Sequence, residues 1–271
     1  MQSIQHASPH SLLGEDYRRD GFVGGVPVLT PAEAGRHRAR FEQAEAAYGA
    51  PLHYVSKVHT ILTSPLELAT APAVLDAVEA LIGPDILLLD VTYIVKEPHS
   101  PSFVSWHQDL TYWGLAGGDQ VSMWLALSPA TEQSGCMRMV PGSHRSGKQA
   151  HTDRRDPNNV LARGQEVAEV GEEDAVLVPL LPGQASFHHG WTLHASLPNR
   201  SDDRRIGLNA QFITPDVRQT VSQSETAMLV RGKDRFGHFR SEHPAVEDLS
   251  GESLQRHRRL DAEMKETWQK A

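Results

Sequence analysis

Apolar and polar positions along the chain fall into two textures. From about Pro31 to Tyr48 the pattern predicts a helix: Thr30 is a good N-cap, Pro31 suits the first helical position, Glu33 completes a capping box and Gly49 stands where the helix would stop. A second helix is predicted from about Pro72 to Ile82. Its residues Val74, Leu75, Val78 and Leu81 share one face, and Gly83-Pro84 closes it. From Ile86 the texture changes to short apolar runs. ILLLDVTYIV (86–95) comes first, followed by 121–127, 136–140, 175–178, 185–189 and 206–213, with Pro141-Gly142 and Pro182-Gly183 as turns. Many short strands separated by turns predict a mainly β fold with flanking helices, a sandwich or barrel.

The expected organisation is one domain over 1–271. N-terminal helices fall at about 31–82, a barrel at about 86–213, and a charged helical segment at about 252–270. Residues 145–173 are polar, with Arg154, Arg155, Asp156 and Pro157, and read as a long surface insertion of the kind that can serve as a lid. There is no internal repeat.

Composition narrows the function. A formal net charge of -8 without a basic run argues against nucleic acid and against an anionic membrane as partner. No apolar stretch reaches the roughly 18 residues of a membrane span. The single cysteine, Cys136, cannot form an internal disulfide, and the first twenty residues lack the pattern of a secretory signal. The expected location is therefore the cytoplasm, and the expected partner a small molecule. Oligomeric state is not legible.

The chemistry is carried by some of the 15 histidines. In Trp106-His107-Gln108-Asp109, residues i and i+2 of a strand would project His107 and Asp109 into one cavity. An imidazole, a carboxylate and a distant second histidine form a facial metal-binding triad that leaves coordination positions open. The bland alternative is an ion pair at a strand end. A second copy of the motif, His151-Thr152-Asp153, lies in the polar segment with no strand to fix it. The distant histidine comes from FHHGWTLHAS, where His188, His189 and His194 cluster. His194 is followed by a polar turn and then by Arg204-Arg205. A guanidinium there can pair bidentately with the carboxylate of a dicarboxylic co-substrate, or the two arginines can simply be solvated.

Taken in order, YRRDGFVGGVPVLTPAEA, Lys96-Glu97-Pro98, WHQD, VSMWLAL, GCMRMVPGSH, HAS and the arginine resemble the phytanoyl-CoA dioxygenase family of iron- and 2-oxoglutarate-dependent oxygenases, over about Tyr17 to Ile213. The resemblance implies a double-stranded β-helix, a jelly-roll or cupin-like barrel. It implies Fe(II) held by His107, Asp109 and His194, with 2-oxoglutarate and O2 as co-substrates. Arg205 would meet the far carboxylate of the co-substrate, with Arg204 as rival. Ser196 would assist, Trp124 and Gln108 would line the pocket, and Lys96 is a weaker match. Related halogenases lack the ligand carboxylate, so Asp109 implies hydroxylation, with desaturation, epoxidation or cyclisation as relatives of the same chemistry.

The substrate is open. Tyr112 and Trp113 either wall the pocket or pack in the core. Lys57 and His59, in a stretch that reads as β-like, either touch a polar substrate or form a solvated face. His144 in PGSH reads as a turn cap. A catalytically silent barrel, against which the intact triad and Arg205 argue, and a zinc hydrolase, which has no need for Arg205, are the competing classes.

Overall fold

The structure, a computed structural model, describes residues 9–111, 113–153, 156–161, 165–168 and 170–270. Helix α1 (Pro9–Asp20) leads into strand β1 (Phe22–Pro27) and three helices, α2 (Pro31–Tyr48), α3 (Thr63–Ala69) and α4 (Pro72–Ile82). The capping box of α2 is closed at both bonds. Thr30 Oγ1 accepts the Glu33 amide at 3.2 Å, and the Glu33 carboxylate accepts the Thr30 amide at 2.8 Å. Gly49, at φ 73°, ends the helix in the left-handed region.

The β-rich part follows as β2 (Ile86–Lys96), β3 (Val104–His107), β4 (Leu115–Ala116), β5 (Gln120–Ala126), β6 (Met137–Met139), β7 (Thr152–Asp153), β8 (Gln165–Glu166), β9 (Val176–Val178), β10 (Gln184–His188), β11 (His194–Ser196), β12 (Arg205–Ile213), β13 (Arg218–Gln219), β14 (Thr226–Arg231) and β15 (Arg240–Ser241). Helix α5 (Gly251–Lys270) comes last. One sheet has the order β1-β10-β5-β12-β2-β14-β15, and a second has the order β3-β11-β6-β9. The outer face of the large sheet, with Val91, Tyr93, Met123, Leu208 and Phe212, packs on Phe41, Leu62, Val74 and Val78 of the helical side. A second cluster joins the sheets through Trp124 and Ala126 of β5, Met137 and Met139 of β6 and Val178 of β9. The fold is mainly β with flanking helices, a double-stranded β-helix built of two sheets rather than a closed barrel.

Strands also lie outside the expected 86–213. β1 lies on one edge of the large sheet and β14 lies beyond β2. The Gly24-Gly25 pair in FVGGVP disguises β1, whose register with β10 shifts between Val23 and Val26. The stretch holding Lys57 and His59 is not β-like. Lys57 takes φ 51° and caps a 3-10 turn, Val58–Thr60. Neither residue is solvated: Lys57 is 2% exposed and His59 0%.

A bulge in β2 positions much of the interior. On β12, Gln211 lies opposite Asp90 while Phe212 lies opposite Leu88, so Leu89 is an extra residue. The alternation flips there. Ile86 and Leu88 join the helix-facing core, whereas Leu87 and Leu89 pack with Ile213, Val217 and Ala227. No helix among the described residues is long and apolar enough to cross a membrane.

Candidate active site

The two sheets enclose a cavity of about 640 Å³ that is bordered by His107, Asp109, His194, Trp124, Ser196 and Arg205, among others. His107 and His194 are direct cross-strand neighbours on β3 and β11. Antiparallel pairing thus brings together two histidines far apart in sequence, and their ring centroids are 4.1 Å apart.

Asp109 arrives differently from the expectation. β3 ends at His107, and Asp109 opens a 3-10 turn, Asp109–Thr111. The turn, not strand alternation, aims the carboxylate. Its Oδ1 lies 3.4 Å from His107 Nε2 and 3.6 Å from His194 Nε2. The three ligand atoms all lie within 4.8 Å of one another.

The donor set fits a divalent metal. His107 Nδ1 is 3.0 Å from the Ser105 carbonyl, and His194 Nδ1 is 3.0 Å from the Thr192 carbonyl. Each Nδ1–H donates to a backbone acceptor, which leaves the Nε2 lone pair facing the site. Burial, followed by the neighbouring His107, holds His194 well below the usual histidine range, so it is neutral and able to ligate a metal. Burial alone would raise the Asp109 carboxyl. The surrounding histidines, His194 first and then His107 and His188, outweigh it and hold the group well below the usual carboxylate range.

Two residues that the sequence did not assign to the site complete this end. Ser122 Oγ donates to Asp109 Oδ2 at 2.7 Å, and His188 Nε2 lies 3.2 Å from the same oxygen. Both stand on the inner face of the large sheet, where Ser122 and His188 are cross-strand neighbours. The histidine cluster in FHHGWTLHAS was the available signal for His188. Nothing local distinguishes Ser122.

The other end of the cavity is cationic. Arg205 is 1% exposed, its Nη1 donates to the Gly135 carbonyl at 2.6 Å, and its Nε has no partner. Its guanidinium carbon lies 5.0 Å from the centre of the Trp124 ring. Gly207 makes room for that indole, because a Cβ there would sit 2.1 Å from the Trp124 ring. No carboxylate among the described residues pairs with Arg205, and burial lowers its pKa to about 10. A buried, uncompensated guanidinium with a free N–H fits the far carboxylate of a dicarboxylic acid. Arg204 instead points outward, to Glu45 at 2.8 Å and Glu97 at 2.7 Å.

Lys96 lies directly across from Arg205, and its Nζ donates to Ser196 Oγ at 2.7 Å. Burial, then Arg205, lowers its pKa to about 6. Gln108 borders the cavity, but its amide is spent on the Gly147 and Trp191 carbonyls and the Gln149 amide, so it fastens 147–149 to the site's rim. The second motif copy does not form a site: His151 Nε2 accepts the Gln108 amide at 3.1 Å. The polar segment is not a detached insertion. Phe103 pairs with Asn159, and Val160 and Leu161 border the cavity. His144 lies in the 3-10 turn Ser143–Ser146, near His189. Trp113 borders the cavity and also packs against the Leu87–Leu89 cluster. Tyr112 lies outside the described residues. Lys57 and His59 do not border the cavity; they are bonded to Glu242 behind it.

Comparison with known proteins agrees with this geometry. The family model for phytanoyl-CoA dioxygenase matches residues 17–207. The human peroxisomal phytanoyl-CoA dioxygenase is 27% identical over 226 residues, 74% of this chain and 67% of that protein. A probable alpha-ketoglutarate-dependent hypophosphite dioxygenase of Stutzerimonas stutzeri is 26% identical over 72% of this chain and 67% of its own length. Among solved structures, the non-heme monooxygenase ThoJ in its apo form superposes with a TM-score of 0.84 at 34% identity, covering 95% of this chain and 97% of that one.

Proposed function

The chain belongs to the phytanoyl-CoA dioxygenase family and is an Fe(II)- and 2-oxoglutarate-dependent dioxygenase; from that premise we propose that it hydroxylates an unactivated C–H bond of a small-molecule metabolite, releasing succinate and CO2. The observation that carries this reading is the pairing, in one cavity, of a neutral-histidine and carboxylate triad with a buried guanidinium that lacks a counter-ion.

In this proposal His107 Nε2, His194 Nε2 and Asp109 Oδ1 hold the iron, and Arg205 receives the far carboxylate of 2-oxoglutarate. When bound, the iron and 2-oxoglutarate together activate O2 for oxidation of the substrate. The chain's own residues bind, orient and keep water out. Ser122 and His188 hold Asp109 Oδ2, which leaves Oδ1 turned to the two histidines. Lys96 donates into Ser196 Oγ, which turns the serine hydroxyl outward as a donor beside Arg205. Trp124 packs under the guanidinium and fixes its plane. Because Asp109 supplies a protein carboxylate, no ligand position is freed for halide, which favours hydroxylation.

Anaerobic addition of 2-oxoglutarate to the Fe(II)-loaded protein tests the reading. A weak visible charge-transfer band requiring both components, and absent in His194→Ala, is the expected result. Folded, iron-loaded protein without that band would mean that the co-substrate does not chelate the metal, and would move a hydrolytic role ahead.

A further inference from the structure

Between the metal triad and helix α5 the cavity has a polar wall that neither the iron nor the co-substrate uses. Asp90 and Thr92 of β2, and Asn209 and Gln211 of β12, all border it. Asn209 pairs with Thr92 and Gln211 with Asp90, so the four side chains share the inner face. The amides of Asn209 and Gln211 make no hydrogen bond among the described residues, so they are open to a ligand.

Asp90 is a charge inside the apolar run ILLLDVTYIV and is 7% exposed. Its direct partners are neutral. Oδ1 accepts the Lys57 backbone amide, and Oδ2 accepts the Thr92 hydroxyl at 2.9 Å. The Lys57 ammonium acts on it through space but gives it no hydrogen bond, and burial still holds the carboxyl above its ordinary range. Lys57 Nζ has three N–H donors, directed to Glu242 at 2.8 Å, the Leu89 carbonyl at 2.6 Å and the Thr226 carbonyl at 2.9 Å. Glu242 takes His59 as well, and Glu225 lies 3.7 Å from Lys57. Three carboxylates thus surround one ammonium, which donates to Glu242 alone; of the other two, Asp90 is the one that borders the cavity. Lys265, a second cation at the cavity's border besides Arg205, is tied to Asp261 at 2.7 Å on its own helix.

We propose that Asp90 is a substrate-recognition residue, and that the substrate presents a protonated amine to it. This rests on the oxygenase reading above. The register sets the substrate's reach. Asp90 lies opposite Gln211, and Gln211 opposite Ser122, whose hydroxyl touches the ligand Asp109. Two strand spacings are about 10 Å, so the amine sits about that far from the Ser122 side of the metal centre. Gln211 and Asn209 would accept the remaining N–H groups, and the Trp113 ring borders the same cavity. An amine salt-bridged to Asp90 relieves a buried carboxylate, while a carboxylate substrate would meet repulsion there.

The test uses hexylammonium, hexanol and hexanoate as matched probes. Each is titrated calorimetrically and anaerobically into protein loaded with Fe(II) and 2-oxoglutarate, with the charge-transfer band read in the same sample. Hexylammonium should bind wild type at least tenfold more tightly than hexanol, with hexanoate weakest, and Asp90→Asn should erase the preference. If that variant does not fold, Gln211→Lys places an internal ammonium opposite Asp90 and should erase it equally. A preference for hexanol or hexanoate, equal or undetectable binding of all three to wild type, or survival of the ammonium preference in a folded variant would overturn the proposal. A missing band with the preference intact would instead overturn the iron and co-substrate reading and leave the amine site standing.

Discussion

Arg205 and His188 act on opposite ends of one cavity, and neither is itself one of the three proposed metal ligands. Arg205 is buried with its Nε unpartnered, so it is poised to make charge-assisted hydrogen bonds that contribute about 1.5–3 kcal/mol. Arg205→Ala is expected to raise the 2-oxoglutarate requirement by about 10- to 100-fold, read as the concentration giving half-maximal charge-transfer absorbance. An unchanged requirement would move the role elsewhere, although Arg204 is already committed to Glu45 and Glu97. His188 holds the non-ligating oxygen of Asp109 at 3.2 Å. Partners of this kind typically govern metal affinity by about 10–100-fold. His188→Phe should therefore weaken Fe(II) binding by about that factor in a competition titration, and unaltered affinity would reduce the contact to packing.

At the scale of elements, α2 has a beginning that can be tested separately from the site. The reciprocal bonds of Thr30 and Glu33 satisfy amides that would otherwise have no partner within the helix. Thr30→Ala should cost about 1 kcal/mol, seen as a lower urea midpoint with the slope unchanged. The 2-oxoglutarate band should be untouched, because the helix contributes to the outer core and not to the cavity. β2 has the opposite character. Its bulge at Leu89 changes which face each residue occupies, and so decides that Asp90 and Thr92 look inward while Leu88 and Ile86 look toward the helices.

Across the whole molecule, burial of charge couples stability to pH. Lys96 has its pKa lowered to about 6 by burial and by Arg205, from an ordinary value of 10.5. Between those values the unfolded chain binds the proton and the folded chain does not, so this group makes stability rise as pH rises from about 6 toward 10. Lys96→Met should flatten that part of the profile. Comparing urea midpoints of the two proteins at about pH 6 and pH 9 checks it, and parallel profiles would mean that Lys96 stays protonated when folded.

Local signals were enough to determine much of this protein. Caps and periodicity placed α2 and α4, the apolar runs placed β2, β5, β10 and β12, and the motifs picked out His107, Asp109 and His194, which the fold brings within reach of one ion. These features depend on residues a few positions apart, or on residue types that carry their chemistry with them. Tertiary structure alone decided the rest. It buried Lys57 and His59 against Glu242, turned Arg205 inward and Arg204 outward, put Ser122 and His188 on Asp109, and set Asp90 beside open amides. Each of those outcomes depends on strand register, on one bulge, or on a turn that ends a strand two residues before Asp109. Such choices are made by pairing between distant segments, and a single-residue shift in register would send the strand-borne side chains among them, Ser122, His188, Arg205 and Asp90, to the opposite face.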